Sequence, residues 1–154
     1  MSTLKKHYGH QARILHWCTD QAITRALEEM DLTSSQGHIM GFLAMRKEPP
    51  CPKDIEEKFR LSHPTVSGLL SRLEKKGFIE LRPDEFDRRC KRIYVLPKGK
   101  ECHDRMHQCI QTIETRLVSG FTEEEQAQFE DFLTRAITNM GGYPHPKHKE
   151  ESPK

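Results

Sequence analysis

The sequence predicts a mainly α-helical chain with one small β-hairpin, and three observations predict it. Apolar residues recur at helical spacing through most of the chain from residue 10 to residue 140. Two short runs of strand composition, Phe78-Ile79-Glu80-Leu81-Arg82 and Lys91-Arg92-Ile93-Tyr94-Val95-Leu96, flank a single charged turn. Hard breaks at Glu48-Pro49-Pro50-Cys51-Pro52, at Gly77 and at Pro97-Lys98-Gly99 separate these segments.

Residues 1–9 are polar and are expected to fray. A first helix over about 10–30 is predicted by Ile14, Leu15, Trp17, Cys18, Ala22, Ile23, Ala26, Leu27 and Met30. Asp31-Leu32 ends it, and Thr33 or Ser34 can cap a second helix striped by Ile39, Met40, Phe42, Leu43 and Met45. After the proline break a short helix over 53–59 places Ile55 and Phe59 on one face. Ser62 caps a further helix over 63–76, where Pro64 is tolerated because first-turn amides lack intrahelical acceptors. Gly77 supplies the left-handed residue that lets this helix stop. The hairpin follows, and Pro97-Lys98-Gly99 ends its second strand. A long helix over about 100–118 is interrupted by Ser119-Gly120. Thr122-Glu123-Glu124-Glu125 opens a last helix, to about residue 140, that carries Phe129, Phe132, Leu133, Ala136 and Ile137. Residues 141–154 are rich in Pro, Lys and His and are expected to be a disordered tail.

The apolar fraction of 34% is lean for a self-sufficient globule of 154 residues. Terminal helices that share a core with a second copy would resolve the shortage. The net charge of +2 conceals a division along the chain. Residues 46–100 carry fifteen Lys+Arg against nine Asp+Glu, whereas residues 101–140 carry three against eight. The middle of the chain therefore suits a polyanion. The cysteines Cys18, Cys51, Cys90, Cys102 and Cys109 are odd in number and form no CxxC pair, which points to reduced thiols in a cytoplasm. No signal peptide or apolar run of membrane length is present, so no membrane partner is expected.

The chemistry is concentrated between the third helix and the hairpin. On the helix over 63–76, Val66, Leu69, Leu70 and Leu73 share one face and are expected in the core. The opposite face carries Pro64, Thr65, Ser67, Gly68, Ser71, Arg72 and Lys75. Small side chains let a helix sit deep in a major groove, where hydroxyls can bond phosphates or base edges. An ordinary amphipathic helix explains this segment alone at least as well. The hairpin changes the balance, because its turn carries Asp87-Arg88-Arg89 followed by Lys91 and Arg92. A ribbon with arginines at its end suits the narrow, electronegative minor groove. Asp87 fits such a turn if it fixes an arginine by a bidentate pair. A solvated charged turn is the alternative for the hairpin alone; helix and hairpin together, in this order, are far more specific.

These residues identify a resemblance. Leu32-Thr33-Ser34-Ser35-Gln36, Leu61-Ser62-His63-Pro64-Thr65-Val66-Ser67, Leu70-Ser71-Arg72-Leu73-Glu74-Lys75-Lys76-Gly77-Phe78-Ile79, Asp87-Arg88-Arg89 and Ile93-Tyr94-Val95-Leu96 resemble the MarR family of bacterial winged helix-turn-helix transcription regulators over about residues 10–140. One departure is Pro97, where the family usually carries a helix-capping threonine. The resemblance implies a sequence-specific double-stranded-DNA-binding regulator, commonly a repressor governed by an effector. It also implies a homodimer on a pseudo-palindromic site. The implied organisation is an N-terminal dimerisation helix (1–32), a winged helix-turn-helix lobe (33–99) and C-terminal dimerisation helices (100–140), with the DNA-contacting residues His63, Pro64, Thr65, Ser67, Gly68, Ser71, Arg72, Arg88, Arg89 and Lys91.

Three switches are conceivable. His103 and His107 are four apart, on one helix face, a spacing that can chelate one ion. With His38 this is similar to the zinc-responsive branch of the family, and Asp20 is the implied fourth ligand. Gly37 and Cys102 stand where that branch carries glutamates, which leaves no second metal site. Chance histidine pairs on a solvated helix account for the same residues. Cys18 is the candidate redox switch, against its reading as a small buried hydrophobe beside Trp17 and Ile23. A small aromatic effector is the third.

Other classes are poorly served by this sequence. It holds no G-x-S-x-G, no H-E-x-x-H and no phosphate-binding glycine loop, as an enzyme reading would require. The alternatives are a winged-helix module that binds only protein and a metal- or thiol-dependent enzyme. Salt-sensitive, sequence-selective duplex binding separates a regulator from both.

Overall fold

The computed structural model describes residues 6–142, and these form six helices and one antiparallel pair of strands. The order is α1 (Tyr8–Glu29), α2 (Ser34–Ala44), α3 (Pro52–Phe59), α4 (His63–Lys75), β1 (Ile79–Pro83), β2 (Lys91–Val95), α5 (Pro97–Leu117) and α6 (Glu123–Asn139). This is a mainly α winged helix-turn-helix, as the sequence predicts. The expected disordered tail lies outside the described residues except for Gly141 and Gly142. At the other end α1 already begins at Tyr8, inside the stretch expected to fray.

Helix starts follow local chemistry. Thr33 Oγ1 accepts the Gln36 N–H at 3.3 Å while Gln36 Oε1 accepts the Thr33 N–H at 3.1 Å, a reciprocal cap for α2. Thr122 and Glu125 close the same arrangement at α6, at 2.8 and 3.2 Å. At α3 the Asp54 carboxylate accepts the Cys51 N–H at 2.9 Å, and this bond holds its carboxyl below the ordinary range. The predicted start of α5 is corrected by three residues: the helix begins at Pro97, with the Lys100 N–H bonded to the Leu96 carbonyl at 3.1 Å. A proline in the first turn gives up an amide that has no intrahelical acceptor, so the missing threonine does not delay the helix.

Two compact units make up the chain, with the boundary at Ile113 and Glu114, inside α5. The first holds the core. Val66, Leu70 and Leu73 of α4 are buried there with Ile39, Met40 and Leu43 of α2, Ile55 of α3, and Phe78, Ile79 and Ile93 of the hairpin. Leu27, Met30, Leu32 and Cys102 join the same cluster, so the end of α1 and the start of α5 are part of it. Leu69, expected in the core, is only partly buried. In the second unit no residue of α6 is buried, and Phe121 packs edge-on against Phe129 with ring centroids 5.6 Å apart.

The step from α4 into the hairpin is the most constrained part of the first unit. Gly77 takes φ +81°, which an L side chain rarely adopts. Glu74 of α4 accepts the Leu81 N–H of β1 at 2.7 Å, which ties the helix to the strand. Lys76 donates to the Asp31 carbonyl at 2.5 Å and to Gln36 Oε1 at 3.2 Å, so the same corner is fixed to the α1–α2 turn. Phe78 is buried beneath Lys98, whose ammonium lies 4.5 Å from the ring centroid. Gly99 approaches so closely that a Cβ would collide with the Phe78 carbonyl oxygen and meet Val95 Cγ1 at 2.8 Å. Gly99→Ala is therefore expected to destabilise the chain by about 2–4 kcal/mol, read from urea unfolding. An unchanged midpoint would contradict this close approach.

Candidate nucleic-acid interface

The helix over His63–Lys75 presents a face of small and polar side chains to solvent because its apolar face is used up in the core. His63, Pro64, Thr65, Ser67, Gly68, Ser71 and Arg72 are all exposed. Ser62 caps the helix: its Oγ accepts the Thr65 N–H at 3.4 Å and lies 2.8 Å from Thr65 Oγ1. A Cβ at Gly68 would meet nothing within 4 Å, so the chain's own packing does not require glycine there. It does leave the backbone open to close approach from outside.

One residue at this face has a partner that the sequence reading missed. His63 Nδ1 lies 2.6 Å from Oε1 of Glu56 on α3. The carboxylate accepts from Nδ1 and leaves the other ring nitrogen directed away from that bond. Glu56 and His63 are seven residues apart on two different helices, with the turn between α3 and α4 separating them. Only the angle between α3 and α4 brings them together. Arg60 makes that turn with φ +52°, an uncommon conformation for a residue with a side chain.

The hairpin pairs Ile79 with Val95, Leu81 with Ile93 and Pro83 with Lys91. Arg82 and Arg92 stand opposite each other, and each has its own carboxylate. Arg82 donates to Glu80 at 2.7 Å and lies over the Tyr94 ring at 4.4 Å, while Arg92 donates to Asp84 at 2.8 Å. The strand edge is extended by the proline break, since the Ile93 N–H bonds to the Pro50 carbonyl at 2.9 Å.

The loop between the strands is braced from within. The Asp84 N–H bonds to the Cys90 carbonyl at 2.9 Å, and the Cys90 N–H bonds to the Asp87 carbonyl at 3.0 Å. The carboxylate that fixes an arginine is Asp84, which corrects the role expected for Asp87. Asp87 instead accepts the Arg89 N–H at 3.0 Å, a backbone bond that shapes the turn. The Phe86 N–H and then Arg92 hold the Asp84 carboxyl below its ordinary range, so its ion pair persists at neutral pH and is lost as pH falls through that lowered value. Arg88, Arg89 and Lys91 are exposed and form no ion pair among the described residues. Their charge is left for an external partner.

The residues expected to sense metal lie on α1, α2 and α5. Among the described residues no three His, Cys, Asp or Glu side chains converge as a metal-binding group, so His38, His103, His107 and Asp20 are not assembled into one. His38, His107 and Asp20 are exposed, and His103 is half-buried. His103 lines a cavity of about 530 Å³ together with Arg46, Lys47, Tyr94, Lys100 and Asp104. Cys102 is buried 3.6 Å from the Met30 sulfur, and burial pushes its thiol up, away from the thiolate that a metal requires. Cys18, read chiefly as a small buried hydrophobe, is exposed on α1 beside Trp17, which is 62% exposed. Among the described residues no helix is long and apolar enough to cross a membrane.

Comparison with known proteins agrees with this geometry. Residues 30–89 match the profile of the MarR family. The chain is 25% identical over 91% of its length, and 90% of the other chain, to YybA, an uncharacterised helix-turn-helix-type transcriptional regulator of Bacillus subtilis. It is 26% identical over 79% of its length, and 74% of the other chain, to the helix-turn-helix-type transcriptional regulator PecS of Dickeya dadantii. Among solved structures, the complex of Staphylococcus aureus MepR with DNA is similar at a TM-score of 0.76 and 30% identity, covering 86% of this chain and 99% of that one.

Asp84→Ala removes the acceptor of the Phe86 N–H and the partner of Arg92. Exchange of the Phe86 amide proton is expected to accelerate at least about tenfold while the global unfolding midpoint stays unchanged. Unaltered protection would show that Asp84 does not brace the loop.

Proposed function

Because the chain belongs to the MarR family of DNA-binding transcription regulators, we propose that it binds pseudo-palindromic double-stranded DNA as a homodimer and represses until an effector binds. The observation that carries this reading is the pairing, in one lobe, of a small-residue helix face with a braced loop whose arginines have no internal partner. The helix would occupy a major groove, with Thr65, Ser67, Ser71 and Arg72 toward base edges and phosphates. Arg88, Arg89 and Lys91 would follow the backbone into the adjacent minor groove.

The dimer is supported by apolar surface that one chain leaves in water. In the first unit Ile14 and Trp17 of α1 are 49% and 62% exposed, and in the second Phe132, Leu133 and Ile137 of α6 are 58%, 40% and 42% exposed. Helix faces of this kind are what an obligate symmetric interface buries. Two lobes related by a two-fold axis would then read half-sites about one helical turn apart.

An effector has a place to act. The cavity beside His103 lies between the end of α2, strand β2 and the start of α5, and its lining has Arg46, Lys47 and Lys100 against Glu48 and Asp104, a net positive balance. A small anion seated there would bear directly on β2, and hence on the loop. Zinc at His38, His103, His107 and Asp20 is a separate proposal, since these four are not grouped among the described residues of one chain.

Arg89→Ala is expected to weaken binding to every duplex and to lower the dependence of log K on log salt by about one phosphate contact. Thr65→Ala and Ser67→Ala are expected to change which sequences are retained from a randomised pool, with the salt slope intact. If Arg89→Ala binds as tightly as the wild type at every salt concentration, the loop is not a DNA contact. Trp17→Glu is expected to shift sedimentation from dimer to monomer, and an unshifted dimer would remove α1 from the interface.

A further inference from the structure

Most large apolar side chains exposed among the described residues fall on α1, α5, α6 or the turn just before α6. Met45, Phe86 and Met140, the residue just after α6, are the exceptions. Phe86 is 97% exposed, in the middle of a loop whose other residues, Cys90 apart, are charged. A phenyl ring held in water forgoes the free energy that burial would give it, and no residue of this lobe offers to cover it.

The ring is not simply at the end of a loose segment. Its own N–H is bonded to Asp84 Oδ1 at 2.9 Å, and the other oxygen of that carboxylate is held by Arg92 at 2.8 Å. Both aspartates of the loop spend their carboxylates on internal bonds. Arg88, Arg89 and Lys91, two to five residues further along the chain, keep positive charge outside any ion pair among the described residues. An apolar plate on a braced ribbon, with cations next to it, matches a surface of stacked bases and sugars bordered by phosphates. One ring is too little apolar area to hold the chain on a lipid surface.

We propose that Phe86 is an apolar wedge: on binding, its ring enters the minor groove beside Arg88 and Arg89 and partly unstacks one base step. This rests on the DNA-binding reading above and extends it to a specificity-determining residue. The wedge favours flexible pyrimidine–purine steps at its position, because those steps are the easiest to unstack. Selectivity would then arise where no base edge is hydrogen-bonded. The contribution is independent of salt, because an apolar contact releases no counterions.

The test uses the full chain and a duplex that the wild type selects from a randomised pool. 2-Aminopurine replaces adenine, one position at a time, across the segment that the loop protects. The wild type is expected to raise 2-aminopurine fluorescence at one step. Phe86→Ala is expected to lose that rise and to bind about tenfold or more weakly with an unchanged salt slope, and Phe86→Trp to restore both. Phe86 is exposed, so the variants keep the fold, and the unfolding midpoint checks this. Phe86→Ala that binds and unstacks like the wild type overturns the wedge while leaving the DNA reading intact. Weaker binding accompanied by a lower salt slope also overturns it, since the ring would then serve only to place the arginines. A wild type that selects no duplex overturns the DNA reading and the wedge with it.

Discussion

Everything the first unit presents to a partner depends on the corner between α4 and β1. Three constraints meet there: the left-handed Gly77, the bond from the Leu81 amide to Glu74, and the contact of Gly99 with the Phe78 backbone. Each would tolerate little change alone, and together they fix the direction in which the hairpin leaves the helix. A reader of duplex DNA needs that direction fixed, because its helix and its loop must enter neighbouring grooves at once. Lys76 adds the tie to Asp31 and Gln36, so the corner also holds the turn between α1 and α2. The motif Leu73-Glu74-Lys75-Lys76-Gly77-Phe78 thus has a mechanical meaning in addition to its use as a family signature.

The distribution of charge pairs follows the same logic. Carboxylates are placed wherever the hairpin needs shape: Glu80 against Arg82, Asp84 against Arg92, and Asp87 on a backbone amide. The side chains toward the tip, Arg88 and Arg89, are left unpaired among the described residues. The exposed Glu80–Arg82 pair contributes little to stability, so its value lies in geometry, whereas Asp84 is largely covered against Arg92. In the proposed complex the loop would arrive already shaped, which lowers the ordering cost of binding.

Much of this was legible in the sequence, for reasons that can be named. Helix starts announced themselves because Thr33, Ser62 and Thr122 cap locally, and Gly77 marked a stop. The apolar face of α4 was legible from period alone, except that Leu69 is only partly buried. What stayed hidden depends on angles between elements. Glu56 meets His63 only through the turn at Arg60, and Asp84 rather than Asp87 reaches Arg92 because of strand register. Histidine spacing on α5 suggested a chelate, but spacing on one helix says nothing of whether His38 and Asp20 converge on it. Phe86 was visible as an aromatic residue in a polar turn, yet only its exposure in the folded lobe gives that observation weight.

In the proposed complex, helix α4 and the hairpin loop occupy adjacent grooves of one duplex. Hydroxyl-radical footprinting, with methylation interference on the selected duplex, tests it most directly. Binding in this mode requires two symmetric half-sites, each with guanine N7 interference in a major groove and backbone protection across the flanking minor groove. Protection confined to one groove, or a footprint without two-fold symmetry, would contradict it.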